Sequence, residues 1–303
     1  MEFTVVVPTL NGRDRLAASL DSLAGHAPDA EVVVVNGPSA DGTTGMIRDR
    51  DDVDVLVEIS ARNVNVARNA GIDAAAGDAV ALLGYDHRVE EGWLAAARES
   101  LAAGAEVVTG PLRRTVRGGA TSEEAERRTI ADREVTYFNG RNVAFRSHVL
   151  ESLDGFDEYL ETGGARDTAH RLAGMDVDVT WLPEMAARRD VDPAADGGRE
   201  RRRWDWKYRA LAYRLVKNYG VRPTVVRRTL SHAVGDARDT LRGVFDGTVT
   251  PTAWAANGRD VGLGTVRGVA DGLAARVRDR SSTRNPNGLS TRTDRAVATY
   301  DRR

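Results

Sequence analysis

The strongest constraint on the fold is an alternation in the first ninety residues: short, unbroken apolar runs, each followed by turn formers and then by helical spacing. Residues 3–7 form a β-branched run closed by Pro8, and Leu16, Leu20 and Leu23 follow at helical intervals. Residues 31–35 form a second apolar run, ended by Asn36-Gly37-Pro38-Ser39-Ala40-Asp41-Gly42-Thr43, a cluster of turn formers in which Asp41 or Thr43 can open the next helix. Residues 53–59 predict a third strand, 64–76 a helix broken by Gly77, and 79–83 a fourth strand. Apolar strands without polar alternation, interleaved with amphipathic helices, predict an α/β protein with a mostly parallel sheet covered on both faces by right-handed crossovers. The fourth strand runs into Gly84-Tyr85-Asp86-His87. A carboxylate and an imidazole at the carboxyl edge of such a sheet stand where open α/β folds bind ligands.

Beyond Leu94 the pattern predicts strands at 106–109, 143–145 and 177–182, and helices at 147–153 and 167–173. Residues 113–128, polar and glycine-containing, read as a mobile loop leading into a helix. The sheet domain is expected over 1–190, followed by an Arg-rich helical extension over 191–280 and a polar, disordered tail over 281–303. In the extension, Trp204, Tyr208, Leu211 and Leu215 share one helical face, with Lys207, Arg209, Arg214 and Lys217 around it. Such a helix either lies at a membrane surface, with Arg222, Arg227, Arg228, Arg238 and Arg242 continuing the basic pattern, or packs on the sheet domain.

Composition removes several alternatives. The 43 basic and 45 acidic residues nearly cancel, so the chain is not built mainly to coat nucleic acid. Cysteine is absent, which excludes disulfides, thiolate metal sites and thiol nucleophiles. No stretch approaches the roughly 20 apolar residues that span a bilayer, and the first residues lack a basic signal region. The expectation is a protein on the cytoplasmic side, peripheral on the inner face of the membrane. The first strand leads to Pro8-Thr9-Leu10-Asn11-Gly12-Arg13 and lacks the Gly-x-Gly-x-x-Gly turn, so a dehydrogenase-like dinucleotide binder fits poorly.

Six segments in order resemble the family 2 glycosyltransferases of the inverting GT-A type, over residues 4–185. They are Val5-Val6-Val7-Pro8-Thr9-Leu10-Asn11-Gly12, Val34-Val35-Asn36-Gly37-Pro38-Ser39-Ala40-Asp41, Asn65-Val66-Ala67-Arg68-Asn69, Asp86 with Glu91-Gly92-Trp93-Leu94, Asn142-Val143-Ala144-Phe145-Arg146, and Gly155-Phe156-Asp157-Glu158. The resemblance implies a nucleotide site at Pro8, Thr9, Asn11, Asn36, Asp41, Arg68 and Asn69. Asp41 reads equally as a helix cap and Asn36 as a turn residue. Arg68, beside helix-terminal amides, suits a diphosphate, with a surface salt bridge as its alternative.

In this family an acidic motif after the fourth strand holds a divalent cation on the diphosphate. Here Gly84 replaces its first acid, leaving Asp86 with His87 as its neighbour or as a second ligand for Mg²⁺ or Mn²⁺. The same gap leaves open a reaction in which Arg68 and other cations stabilise the leaving group. The catalytic base of the family maps to Asp167, with Arg166 in place of its acidic partner and His170 one turn on. A helix cap is the other reading of Asp167. Arg203-Trp204 matches an Arg-Trp pair of the family, but Glu200 stands where processive members carry Gln, which argues against a polymer synthase.

The implied activity is transfer of one sugar, with inversion, from a nucleotide-sugar donor to a lipid-linked glycan or polyprenyl phosphate, as in archaeal or bacterial surface-glycan assembly and protein glycosylation. A catalytically degenerate binder of a nucleotide or partner is the alternative.

Overall fold

The first strand shows why the apolar runs are unbroken. In the computed structural model, which describes residues 1–115, 124–190, 204–246, 250–279 and 295–303, β1 (Phe3–Thr9) sends Val5 and Val7 into one core and Val6 into a second core on the opposite face. A strand covered on both sides buries every residue, so polar alternation disappears. The chain continues through α1 (Arg13–His26), β2 (Glu31–Asn36), α2 (Thr43–Arg48), β3 (Val55–Ile59), α3 (Val64–Ala74) and β4 (Ala79–Leu83), as the alternation predicts. The four strands pair in parallel in the order β4-β1-β2-β3. This order reverses beside β1, which opens a crevice at its carboxyl end.

Next come β5 (Arg88–Val89), α4 (Trp93–Ala102), β6 (Val107–Thr109), β7 (Leu112–Thr115), β8 (Arg127–Ile130), β9 (Arg133–Thr136), β10 (Asn142–Arg146), α5 (Ser147–Leu153), α6 (Gly164–Gly174), β11 (Val179–Trp181) and β12 (Ala187–Asp190). β10 inserts antiparallel between β4 and β6, and β11 pairs parallel with β6. The helix expected after the 113–128 loop is not there. Residues 127–130 instead form β8, joined to β9 by Ala131 and Asp132, both at positive φ (50° and 68°) in a tight hairpin turn. Residues 116–123 of that loop, the 191–200 boundary and Arg203 lie outside the described residues.

The extension is helical: α7 (Trp204–Tyr219), α8 (Pro223–Phe245) and α9 (Pro251–Asp279). The aromatic face of α7 is not a membrane face. Trp204, Tyr208, Leu211 and Leu215 are buried in the same core as α3, α5 and α6, because a face that apolar gains more from the domain beside it than from an interface. α9 runs alongside α7 at very close range. Cβ atoms added at Gly264, Gly268 and Gly272 would lie 2.2, 2.3 and 2.7 Å from the carbonyl oxygens of Asp205, Arg209 and Tyr213, so only glycine at this four-residue spacing allows the approach.

Part of the expected disordered tail is ordered. Residues 296–301 form β13, antiparallel on the outer edge of β3. The exposed backbone groups of that edge accept a short run containing Val297, Thr299 and Tyr300, and Arg303 adds a 2.8 Å contact to Glu31. No helix among the described residues is long and apolar enough to cross a membrane.

Candidate functional site

The carboxyl ends of β1 and β4 and the first turn of α3 enclose a cavity of about 410 Å³, lined by Pro8, Thr9, Arg62, Arg68, Tyr85 and Arg141 among others. A second cavity of about 610 Å³ opens beside it and shares Val64, Arg68, Gly140 and Arg141 with the first. His87, Glu161, Arg166 and Arg189 line this second chamber. Two features make the pair the candidate ligand site. Thr9 is buried at 4% exposure and its hydroxyl has no hydrogen-bond partner. Arg68 is buried at 7%, yet it holds only neutral groups: Nη1 donates to Asn65 Oδ1 at 2.9 Å and Nη2 to the Gly140 carbonyl at 2.8 Å. Burial, then the nearby charge of Arg141, pushes the Arg68 guanidinium down to about 10, still cationic at neutral pH. A buried cation without a carboxylate, facing a cavity, is poised for an anion.

Of the residues expected to bind a nucleotide, Pro8, Thr9 and Arg68 meet in this crevice. Asn11, Asn36, Asp41 and Asn69 instead hold loops. Asn11, at φ 54°, accepts from the Ala40 amide at 2.9 Å and donates its own amide to Ser39 Oγ at 2.9 Å. Asn36, 2% exposed, is engaged by Thr44 and Ser39. Asp41 accepts from the amides of Gly12 (2.6 Å) and Arg13 (3.1 Å) and from Thr43. The Gly12 amide and the Thr43 hydroxyl hold its carboxyl well below the usual range, so it caps the start of α1 across the loop. Asn69 accepts from the Phe156 amide at 2.7 Å and donates to the Phe156 carbonyl and Glu158, stapling 155–158 onto α3. These four residues therefore hold the neighbouring loops through hydrogen bonds to both backbone and side-chain groups.

His87 lines the second chamber, and the side chain of Asp86 is buried behind it. His87 Nδ1 lies 2.8 Å from one oxygen of Asp86, and Arg189 Nε lies 2.8 Å from the other. Burial alone would raise the Asp86 carboxyl, but His87, Arg189 and Arg141 outweigh it and bring it down to about 2. His87 is thus a hydrogen-bonded neighbour of the acid. Whether these residues suit the divalent metal implied by the resemblance is decided by their donor set. Both oxygens of the one carboxylate are engaged, one of them by a guanidinium. No group of three metal-capable side chains occurs among the described residues. A Cβ at Gly84 would lie 2.6 Å from His87 Nδ1 and 3.1 Å from Arg141 Cβ, so the place of the missing acid is filled. The described residues do not form a protein-held dication site; their one carboxylate here is already paired with a cation, and a metal would have to take most of its oxygens from a bound diphosphate and water.

The expected base is likewise withdrawn. Asp167 is fully buried in α6; its Oδ2 pairs with Lys217 Nζ at 2.7 Å and its Oδ1 accepts from Asn218 Nδ2 at 2.9 Å. Lys217 also pairs with Asp157 Oδ2 at 2.8 Å, and Tyr213 donates to the same oxygen at 2.8 Å. A carboxylate sealed behind α7 cannot reach an acceptor. His170 is 1% exposed, with Nδ1 2.8 Å from the Tyr219 hydroxyl; burial and the charges of Arg214 and Arg228 keep it neutral far below the ordinary imidazole range. It too is a packing residue, one turn from Asp167 and facing the same helix.

Three residues escaped the sequence reading. Arg141 and Arg189 carry no recognisable spacing relative to Asp86 and converge only through β10 and β12. Lys217 did leave a signal: in a chain whose cations are otherwise arginine, only Lys207 and Lys217 are lysine. A compact ammonium between two buried carboxylates is a place where a planar guanidinium substitutes badly.

Comparison with known proteins agrees with this geometry. The profile of glycosyl transferase family 2 matches residues 4–153. Glycosyltransferase AglE of Haloferax volcanii is 26% identical over 175 residues, which is 53% of this chain and 58% of that protein; the match thus spans little more than half of the relative's length. Among solved structures, S. aureus TarS 1-349 in complex with UDP-GlcNAc superposes with a TM-score of 0.63 at 17% identity, covering 92% of this chain and 86% of that one. The mannosyltransferase PcManGT from Pyrobaculum calidifontis, in complex with GDP-Man and Mn²⁺, gives 0.55 at 18% identity, with 90% and 87% coverage. With its parallel sheet, inserted antiparallel strand and crevice beside β1, this chain has the GT-A fold, and its residues 4–153 belong to glycosyl transferase family 2.

Proposed function

We propose that the protein moves a single sugar from a nucleotide-sugar donor to a lipid-linked phosphate acceptor at a membrane surface, with inversion at the anomeric carbon. The observation that carries the reading is the pair of joined cavities with buried, partner-poor Thr9 and Arg68 facing them. One chamber has the size and polar groups for a nucleoside, and the junction at Arg68 suits a diphosphate. Support for the donor class comes from the similar structures, which hold UDP-GlcNAc and GDP-Man. In the reaction the bond from the anomeric carbon to the diphosphate oxygen breaks, its electron pair staying with the diphosphate. The acceptor oxygen forms the new bond from the opposite face. Arg68 holds and neutralises the leaving diphosphate.

The burial of Asp167 behind α7 supports an acceptor that needs no base from that residue. The second chamber is lined by Glu124, Glu126 and Glu161, of which Glu126 is held by Arg166 at 2.8 Å. A phosphate acceptor is already ionised and attacks without a base. The membrane reading moves from α7 to α8. There Val226, Leu230, Val234 and Leu241 form an exposed apolar stripe, flanked by the exposed Arg222, Arg227 and Arg238. An apolar stripe edged by cations suits an anionic lipid surface.

The test is transfer from labelled UDP- and GDP-sugars to a polyprenyl phosphate or to a hydroxyl acceptor, beside Arg68→Ala. Product on the phosphate acceptor, lost in Arg68→Ala, is the expected result; folded protein that binds neither UDP nor GDP refutes the reading. Nucleotide binding without transfer to any acceptor favours the second reading, a non-catalytic binder, for which the withdrawal of Asp167 speaks.

A further inference from the structure

We infer that three arginines, Arg68, Arg141 and Arg189, take the place of the divalent metal, so that this protein binds a nucleoside diphosphate without any metal ion. The inference rests on the donor class proposed above and assigns the groups that meet its diphosphate.

Three observations converge. The position where a second acid would stand, Gly84, is closed by the His87 ring and the Arg141 side chain. The remaining acid, Asp86, already has a cation: Arg189 Nε sits 2.8 Å from its Oδ2, where a metal would otherwise bind. Arg68 and Arg141 both line the junction of the two cavities, and Arg189 lines the larger one beside them. The charges also match. Three guanidiniums less the Asp86 carboxylate leave a net of about +2, the charge a divalent ion supplies to a diphosphate. Guanidiniums suit the task because their paired donors meet two phosphate oxygens at once, whereas a dication crowded by three fixed cations would be repelled.

Asp86 then has a different purpose from a ligand. It holds Arg189 in place and keeps the cluster from mutual repulsion. When a diphosphate enters, Arg189 exchanges one anionic partner for another, which requires only a side-chain movement.

The experiment is calorimetric titration of the full-length protein with UDP and GDP, after exhaustive EDTA treatment and again with added Mn²⁺ or Mg²⁺. The expected result is binding in EDTA, with the dissociation constant changed less than threefold by either metal. Asp86→Asn separates the two chemistries by its response to metal: under the arginine mechanism its dissociation constant differs less than threefold between EDTA and added metal, as in the parent, whereas under a metal mechanism the parent binds at least tenfold tighter with metal and the variant loses that gain. Arg189→Gln and Arg141→Gln should each weaken binding at least tenfold in EDTA, and Arg189→Lys should recover part of the loss. Circular dichroism and melting curves of each variant confirm the fold. Binding that appears only with metal overturns the inference while leaving the proposed function standing. Absence of nucleotide binding under every condition overturns both.

Discussion

Lys217 offers the sharpest test of how the extension and the sheet domain depend on each other. Its ammonium lies 2.8 Å from Asp157 Oδ2 and 2.7 Å from Asp167 Oδ2, and all three side chains are between 0% and 1% exposed. Lys217→Met keeps the length and apolar bulk but leaves two carboxylates buried without a cation. Breaking a buried pair in this way costs about 3–5 kcal/mol, because the orphaned charge cannot be rehydrated. For a chain of this size, taking about 2 °C per kcal/mol, the melting temperature should fall by about 6–10 °C. Asp167→Asn keeps the shape of the side chain and its contact with Asn218, so its loss should be smaller, about 1–3 kcal/mol. In the double variant one of the two orphaned charges is gone and Tyr213 still serves the other, so its loss should be less than the sum of the single losses by at least about 1 kcal/mol. Urea unfolding followed by tryptophan fluorescence measures all three. Turnover per folded molecule in Asp167→Asn should stay within threefold of the parent. An unchanged urea midpoint in Lys217→Met, or a hundredfold loss of turnover in a fully stable Asp167→Asn, would refute the reasoning and return Asp167 to the role of base.

Other expectations concern separate parts of the molecule. Gly268→Leu should separate α9 from α7 and cost at least about 2 kcal/mol, since its Cβ would meet the Arg209 carbonyl at 2.3 Å, whereas Gly258→Ala, with open space around its Cβ, should stabilise by about 0.5–1 kcal/mol; thermal melts compare them. His170 is held neutral in the fold, but the unfolded imidazole takes a proton below about pH 6.5, so stability should fall as pH drops through that value, by up to about 1.4 kcal/mol per unit. His170→Gln should flatten this acid limb in urea titrations between pH 7 and pH 5. Leu230→Glu on α8 should abolish co-sedimentation with vesicles containing phosphatidylglycerol and leave nucleotide binding unchanged, and retained sedimentation would remove α8 as the membrane contact. Glu161→Gln should leave transfer to a phosphate acceptor within threefold; a loss of a hundredfold would mark Glu161 as a base and the acceptor as a hydroxyl.

The alternation of apolar runs and helices carried the central sheet, because strands buried on both faces leave a local signature that needs no knowledge of partners. β1 to β4 and their helices stand where that signature puts them, and Pro8, Thr9 and Arg68 reach the crevice because strand ends and helix starts converge at one edge of such a sheet. The extension was legible as helix. The Gly264, Gly268, Gly272 spacing that seats it was also present in the sequence, though its meaning depends on which backbone lies opposite. Contacts between residues far apart in the chain left no such trace. Arg189 reaches Asp86 across about a hundred residues, Lys217 reaches Asp167 across fifty, and β13 finds the edge of β3 from the far end of the chain. Residue type and spacing set what each segment prefers to become and which side chains are chemically able to serve a site. Which carboxylate stays open to a ligand and which is sealed against a lysine depends on burial and partner charge, and those exist only once the helices have packed.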